Sequence, residues 1–229
     1  MSKLAQDKNF RQAIKLGIDR DKLILDNEDK STAFEILPES SWGRLGFKSS
    51  PDSISAQQAV QKISPQFLNK EIPIPIYAAT QTNFQDTPQG RIEGQIRKLG
   101  IPVVLKFTGS IEEFRNDKSA PFRVTGFAAD YLDPLAVFSQ FSKNGMYGEA
   151  FPQDKLFDTL FDEASQAPSF DVRVETVKKL NSYFIEQGYI LPLWQRKTIY
   201  FFNKNTVISL GKQRGGPILL INEIQMKSH

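Results

Sequence analysis

The residues best placed to do chemistry lie in one short stretch, GFAADYLDP, where Asp130 and Asp133 stand three apart. Two nearby carboxylates could serve as the acid and base of a glycosidase-like hydrolase. Each has a simpler explanation. Asp133 directly precedes Pro134 and the apolar run LAVFSQF. Asp at the N-cap with Pro at the first helical position is a frequent helix start, so Asp133 reads as a cap. Asp130 has no such local task. It follows Ala128 and Ala129 at the end of FRVTGFA, a stretch predicted to be a strand. The backbone there is approachable, and a partly solvated carboxylate suits an ammonium group through a charge-assisted hydrogen bond. The pattern alone leaves that reading level with a structural salt bridge or a turn.

Composition narrows the remaining chemistry. The 229 residues contain no Cys, and the single His is the last residue, His229. Disulfides, a Cys nucleophile, Ser-His-Asp chemistry and most zinc sites are therefore excluded, and neither a catalytic residue nor a metal nor a cofactor is expected. No GxGxxG or GxxxxGK[ST] occurs; GRIEGQIRKLG reads as a helix containing Gly, not a phosphate loop. The net charge of +3 comes with no run of basic residues, so no nucleic-acid partner is expected. No apolar stretch is long enough to span a membrane, and the opening MSKLAQDKNF is too polar for a signal peptide. It reads as an added start ahead of an internal segment, so the chain is expected to be a piece of a longer protein. The 18 Phe residues imply a substantial core.

The elements that would position Asp130 follow an α/β rhythm. Phe10, Ala13, Ile14 and Ile18 mark one face of a first helix, and Asp19 can cap a short one after it. Residues 38–53 form a Pro-, Ser- and Gly-rich loop containing Trp42, and Ser53 or Ser55 can start a helix that Pro65 stops. IPIPIYA reads as a strand whose prolines, Pro73 and Pro75, exclude full pairing on both sides. Thr87 and Pro88 start a helix striped by Ile92, Ile96 and Leu99 and ended by Gly100. IPVVLKF is a buried strand, and Ser110 with Glu113 a capping box. Later, Leu156, Leu160 and Ala164 are predicted to share a helix face with Phe157 and Phe161 beside them. Val174, Val177, Leu180 and Phe184 line a longer helix closed by Gly188. YILPLW and TIYFFN read as strands. Ligands of such sheets sit beyond the carboxyl ends of strands, which again points to the residues after Ala128.

Several stretches, in this order, resemble the oligopeptide- and dipeptide-binding proteins that feed ABC importers, solute-binding family 5. NFRQAIKLGIDRDKLI is similar to the family's Arg-x-Ala followed by Ala-Ile-Asp-Arg before Leu. IRKLGIPVVL is similar to its Lys-Leu-Gly-Ile helix end and strand, and GFAADYLDP to its strand end and acidic loop. The stretch from FDTLFDEAS to YILPLW is similar to its paired helices and the strand ending in Pro-Leu-Trp. These landmarks cover positions 9 to about 200, and their order is more specific than any one of them.

The resemblance implies an α/β fold: one lobe of a type II periplasmic-binding protein, a mixed sheet flanked by helices. Residues 1–195 would form the carboxyl-terminal lobe. Residues 196–229 would be the hinge and the segment returning to an amino-terminal lobe. It implies an extracytoplasmic, monomeric receptor, periplasmic or on the outer face of the cytoplasmic membrane, with a peptide ligand and membrane permease subunits as partners. Asp130 stands where the family places an aspartate on the peptide's α-ammonium. Main-chain groups of Phe127, Ala128 and Ala129 would pair with the peptide as a strand does. Phe127 stands where relatives have Trp. Arg115 matches one of two arginine positions that hold a ligand carboxylate in some relatives; the other is Val124 here, beside Arg123. Trp42 is a further candidate contact. Other solutes of the family (a nickel chelate, an opine or an oligosaccharide), a carboxylate hydrolase and a lobe serving as an interaction module are the alternatives.

Overall fold

The computed structural model describes residues 2–24, 29–77, 86–117, 119–126, 133–148, 151–152, 154–196, 202–209 and 224–227. A short helix, α1 (Lys3–Gln6), leads into α2 (Lys8–Gly17). Asp7 starts α2 by accepting from the Asn9 and Phe10 amides at 2.8 and 3.4 Å. Helix α2 buries Phe10 and Ala13 against α3 (Ser53–Val60) and a parallel strand pair, β2 (Ile72–Tyr77) and β3 (Val103–Thr108). Between these strands runs α4 (Pro88–Lys98), capped by Thr87 and contributing Ile92 and Ile96 to the same core.

The prolines of β2 explain why it tolerates only one neighbour. Its register runs from Ile72 opposite Val103 to Tyr77 opposite Thr108, and the Ile72 amide donates to Pro102 O at 2.8 Å. With a period of two, Pro73 and Pro75 turn their nitrogens to the other side, where no donor is then required. The Thr108 hydroxyl closes the pair by donating to Ile76 O at 3.1 Å.

A second core is built by α6 (Pro134–Phe138), α7 (Lys155–Ser165) and α8 (Phe170–Gln187). Phe184 is its centre, with ring centroids of Phe138, Phe141, Phe151 and Phe157 all within 5.2 to 5.7 Å. Tilted, edge-on and stacked pairs of this kind add to simple area burial, and they account for much of the Phe content. The two cores are joined at the carboxyl end of α8. Lys15 Nζ, Gln12 Nε2 and Arg11 Nε from α2 donate to the carbonyls of Ile185, Glu186 and Gln187 at 2.7, 3.3 and 2.8 Å. Those are carbonyls a helix end leaves unpaired, and two of the donors are cations suited to the negative end of the helix dipole. Gly188 then turns the chain at φ +63°.

The remaining elements are small: β1 (Lys30–Thr32) pairs antiparallel with β4 (Trp194–Arg196), and β5 (Val207–Ser209) with β6 (Gln225–Met226). Parallel and antiparallel pairing are thus both present, as three separate two-stranded pairs among the described residues. The caps at Thr87, Ser110 and Asp133 form as expected.

Other local expectations are corrected. Residues 122–126 are not a strand. Arg123 instead fixes them by donating to Phe114 O at 2.8 Å and to Asp117 O, at the end of α5 (Ile111–Asn116). The strand in YILPLW begins only at Trp194, because Pro192 has no amide to donate and its carbonyl is taken by Arg20. In TIYFFN, Phe202 and Asn203 are not in a strand, and the preceding residues lie outside the described ones. Helix α3 is capped by Asp52, not by a serine, through a 3.0 Å bond from the Ser55 amide. The buried face of α7 is turned from the predicted one: Phe157 and Ala164 are buried while Leu156 is exposed.

Candidate functional site

Phe127, Ala128, Ala129 and Asp130 lie outside the described residues, so the site is defined by what holds its two ends. On the entering side, Phe122 packs on Phe10 with ring centroids 5.8 Å apart. Arg123 is committed to the carbonyls around α5, and the Tyr147 hydroxyl reaches Gly126 O at 3.4 Å. Burial lowers the Arg123 pKa, opposed by the charge of Asp117. On the leaving side, Asp133 Oδ1 accepts the Leu135 amide at 3.0 Å and starts α6. Its other oxygen, Oδ2, accepts Arg173 Nη2 at 2.7 Å. The cap expected of Asp133 is therefore joined by an ion pair to α8 that sequence reasoning missed. An isolated Arg on the polar side of a long amphipathic helix carries no sequence signal for such a pairing.

Trp42 is brought into this neighbourhood. Its ring lies edge-on to Phe170 at 5.2 Å between centroids, and the Arg173 guanidinium sits 5.8 Å from the ring centroid. Arg173 thus touches both Trp42 and the residue that closes the candidate loop. Arg115 stands on α5, which packs on β2 and β3, and its side chain is outside the described residues.

The loop carrying Trp42 is fixed by a residue with no counterpart among the sequence candidates, Glu35. Its carboxylate is fully buried and accepts the amides of Leu45 and Phe47 at 2.9 and 2.8 Å and Asn181 Nδ2 at 2.5 Å. Arg44 stands at 3.4 Å. Burial acts to raise the Glu35 pKa, but these hydrogen bonds and the Arg44 charge outweigh it, and the pKa is lowered. Gly43, beside Trp42, has φ +78°, and a Cβ there would fall 2.3 Å from Val177 Cγ1. The Trp42 loop is thus anchored to α8 at two points. Among the described residues no cluster of three or more His, Cys, Asp or Glu could hold a metal, and no helix is long and apolar enough to cross a membrane.

Comparison with solved structures identifies the architecture. A peptide-binding protein of a peptide ABC transporter matches with a TM-score of 0.67 at 17% identity, over 85% of this chain and 93% of that one. The substrate-binding protein CtaP of Listeria monocytogenes gives 0.73 at 18% identity, over 85% and 41%. Listeria monocytogenes OppA bound to peptide gives 0.71 at 19% identity, over 100% and 46%. The chain has the fold of ABC-transporter substrate-binding proteins. It spans less than half the length of CtaP and OppA and nearly all of the first match. No family model and no curated protein matches the sequence.

Within that fold, the arrangement at Gly126 and Asp133 is a frame for a short loop, held from both ends by groups of the second core. Of the two candidate carboxylates, Asp133 is occupied by a helix cap and by Arg173.

Proposed function

We propose that this protein is the peptide-binding component of an ABC importer, with no catalytic activity of its own. It captures peptides between two lobes by closure, driven by the better contacts a ligand makes in the closed state. Residues 1–195 form the carboxyl-terminal lobe and 196–229 the hinge and returning segment. The pairing of β5 with β6, and with no other described strand, is consistent with a tail separate from the lobe. The observation that carries the reading is the fold likeness over the whole chain to a protein solved with peptide bound.

In this reading Asp130 pairs with the peptide α-ammonium, and the backbone of Phe127, Ala128 and Ala129 pairs with the peptide main chain. Trp42 supplies an apolar wall beside the loop's closing residue, and Arg115 a cation for the ligand carboxylate. Water fills the space around varied side chains. The protein works as a monomer with membrane permease subunits, in the periplasm or on the outer face of the cytoplasmic membrane.

The test is calorimetry on the full-length parent protein. Asp130→Ala should weaken binding of free-amino peptides by at least about tenfold, the scale of one hydrogen bond to a charged group. It should leave amino-acetylated peptides unaffected. Equal affinity of wild type and variant for free-amino peptides would reject the assignment of Asp130. Binding of a sugar or a metal chelate in place of any peptide would reject the peptide reading itself.

A further inference from the structure

A cleft of about 380 Å³ is lined by the residues that follow α2, with Arg20 in its wall, and by segment 48–51. Arg20 is only 5% exposed, and no ion pair holds it among the described residues. Its Nε donates to Pro192 O at 2.9 Å and its guanidinium lies 4.8 Å from the Phe34 ring centroid. No carboxylate pairs with it among the described residues. Burial pushes its pKa down to about 10. Burial first, and then the Arg20 charge, lower the Lys15 pKa, so a second cation on α2 lies close enough to repel Arg20. A buried guanidinium without a counter-ion is costly, and a ligand carboxylate would remove that cost.

The rest of the cleft wall suits the same group. Lys48 is exposed and carries no ion pair among the described residues, and Ser49 and Ser50 present hydroxyls. Two acids also line it. Asp19 is already held by Lys22, at 2.7 Å from its ammonium, while Asp21 is exposed, where solvent and salt screen its charge. A planar carboxylate matches the forked donors of Arg20 better than a spherical anion does.

We propose that this cleft binds a carboxylate group, with Arg20 as its principal ligand and Lys48 as a second cation. The cleft shares no residue with the candidate peptide loop, and the experiment does not depend on Asp130. The side-chain Nε–Hε signal of Arg20 would be followed by NMR on the full chain while succinate is added at constant ionic strength. Succinamide serves as the uncharged control. A saturable shift with succinate and none with succinamide is expected. Lys48→Ala, on an exposed side chain, should weaken binding by about threefold, the size of a solvent-screened ion pair. Tighter binding of succinate than of acetyl-aspartate methylamide assigns the site to a free solute; the reverse assigns it to an acidic side chain on a polypeptide. An Arg20 signal that never saturates, or one whose affinity is unchanged in Lys48→Ala, overturns the proposal.

Discussion

Arg173 on α8 donates from Nη2 to Asp133 Oδ2 at 2.7 Å, while Oδ1 of the same carboxylate caps α6 through the Leu135 amide at 3.0 Å. One side chain therefore ends the candidate loop, starts a helix and ties both to the longest helix of the fold. The two functions can be separated by substitution. Asp133→Asn keeps a capping oxygen and loses the charge. The pair is about one-third exposed at both ends, so this change should cost no more than about 1 kcal/mol and less at high salt. Asp133→Ala loses the cap as well and should cost about 2 kcal/mol. Urea unfolding of both variants checks the order; equal losses would mean that the cap contributes nothing.

Glu35 should be among the most sensitive positions in the chain. Replacing it with Ala leaves the Leu45 and Phe47 amides and Asn181 Nδ2 without their acceptor, a loss of about 3 kcal/mol or more. Its lowered pKa also gives a pH dependence. The carboxylate's contribution is complete above the unfolded value of 4.5 and is lost as the pH falls from there through the lower folded value. In Glu35→Gln the part of acid destabilisation due to this group should vanish. Chemical denaturation between neutral pH and pH about 3 tests this; parallel stability curves for wild type and Glu35→Gln would refute it.

Gly43 tests the same loop from its backbone. At φ +78° an L side chain is disfavoured by about 1 kcal/mol, and a Cβ would also meet Val177 Cγ1 at 2.3 Å, inside the second core. Gly43→Ala should therefore lose more than the backbone term alone, about 2 to 4 kcal/mol. The neighbouring Trp42 fluorescence should change with it. Gly46→Ala is the control: φ is +68° there, but nothing lies within 4 Å, so only the backbone term applies.

The helices were legible in the sequence because their signals are local. Thr87 with Pro88, Ser110 with Glu113, and Asp133 with Pro134 each carry cap and first turn within four residues. The stripe ending at Phe184 survives as the centre of the second core. What the sequence hid depends on long-range partners. Arg20 takes the Pro192 carbonyl and Arg123 takes the α5 end, in two stretches, YILPLW and FRVTGFA, whose local pattern is that of a strand. Glu35 reaches Asn181 across 146 positions, and Arg173 reaches Asp133 across 40, separations no periodicity encodes. The face of α7 turned because Phe157 outcompetes Leu156 for the aromatic cluster around Phe184. For the candidate site, the closing cap at Asp133 was legible in the sequence; residues 127–132 lie outside the described ones, and the structure added the side chains that hold the two ends.

The Tyr183–Asp154 bond offers a test of that aromatic core at alkaline pH. Tyr183 is buried and its hydroxyl donates to Asp154 Oδ2 at 2.7 Å, while Asp154 Oδ1 caps α7 through the Leu156 amide at 2.9 Å. Burial first, and then the hydrogen bond and charge of Asp154, raise the Tyr183 pKa far above its ordinary value of 10.0. A raised pKa means the neutral phenol is favoured in the folded state. Its contribution is complete below pH 10.0, and as the pH rises further the unfolded chain ionises first and stability falls. Tyr183→Phe should lose about 1 kcal/mol at neutral pH, because the cap oxygen of Asp154 stays in place. The same variant should unfold less steeply with alkali than the wild type. Tyrosinate absorbance followed alongside circular dichroism decides the matter: Tyr183 ionising while the helices remain intact would show that Asp154 does not hold it.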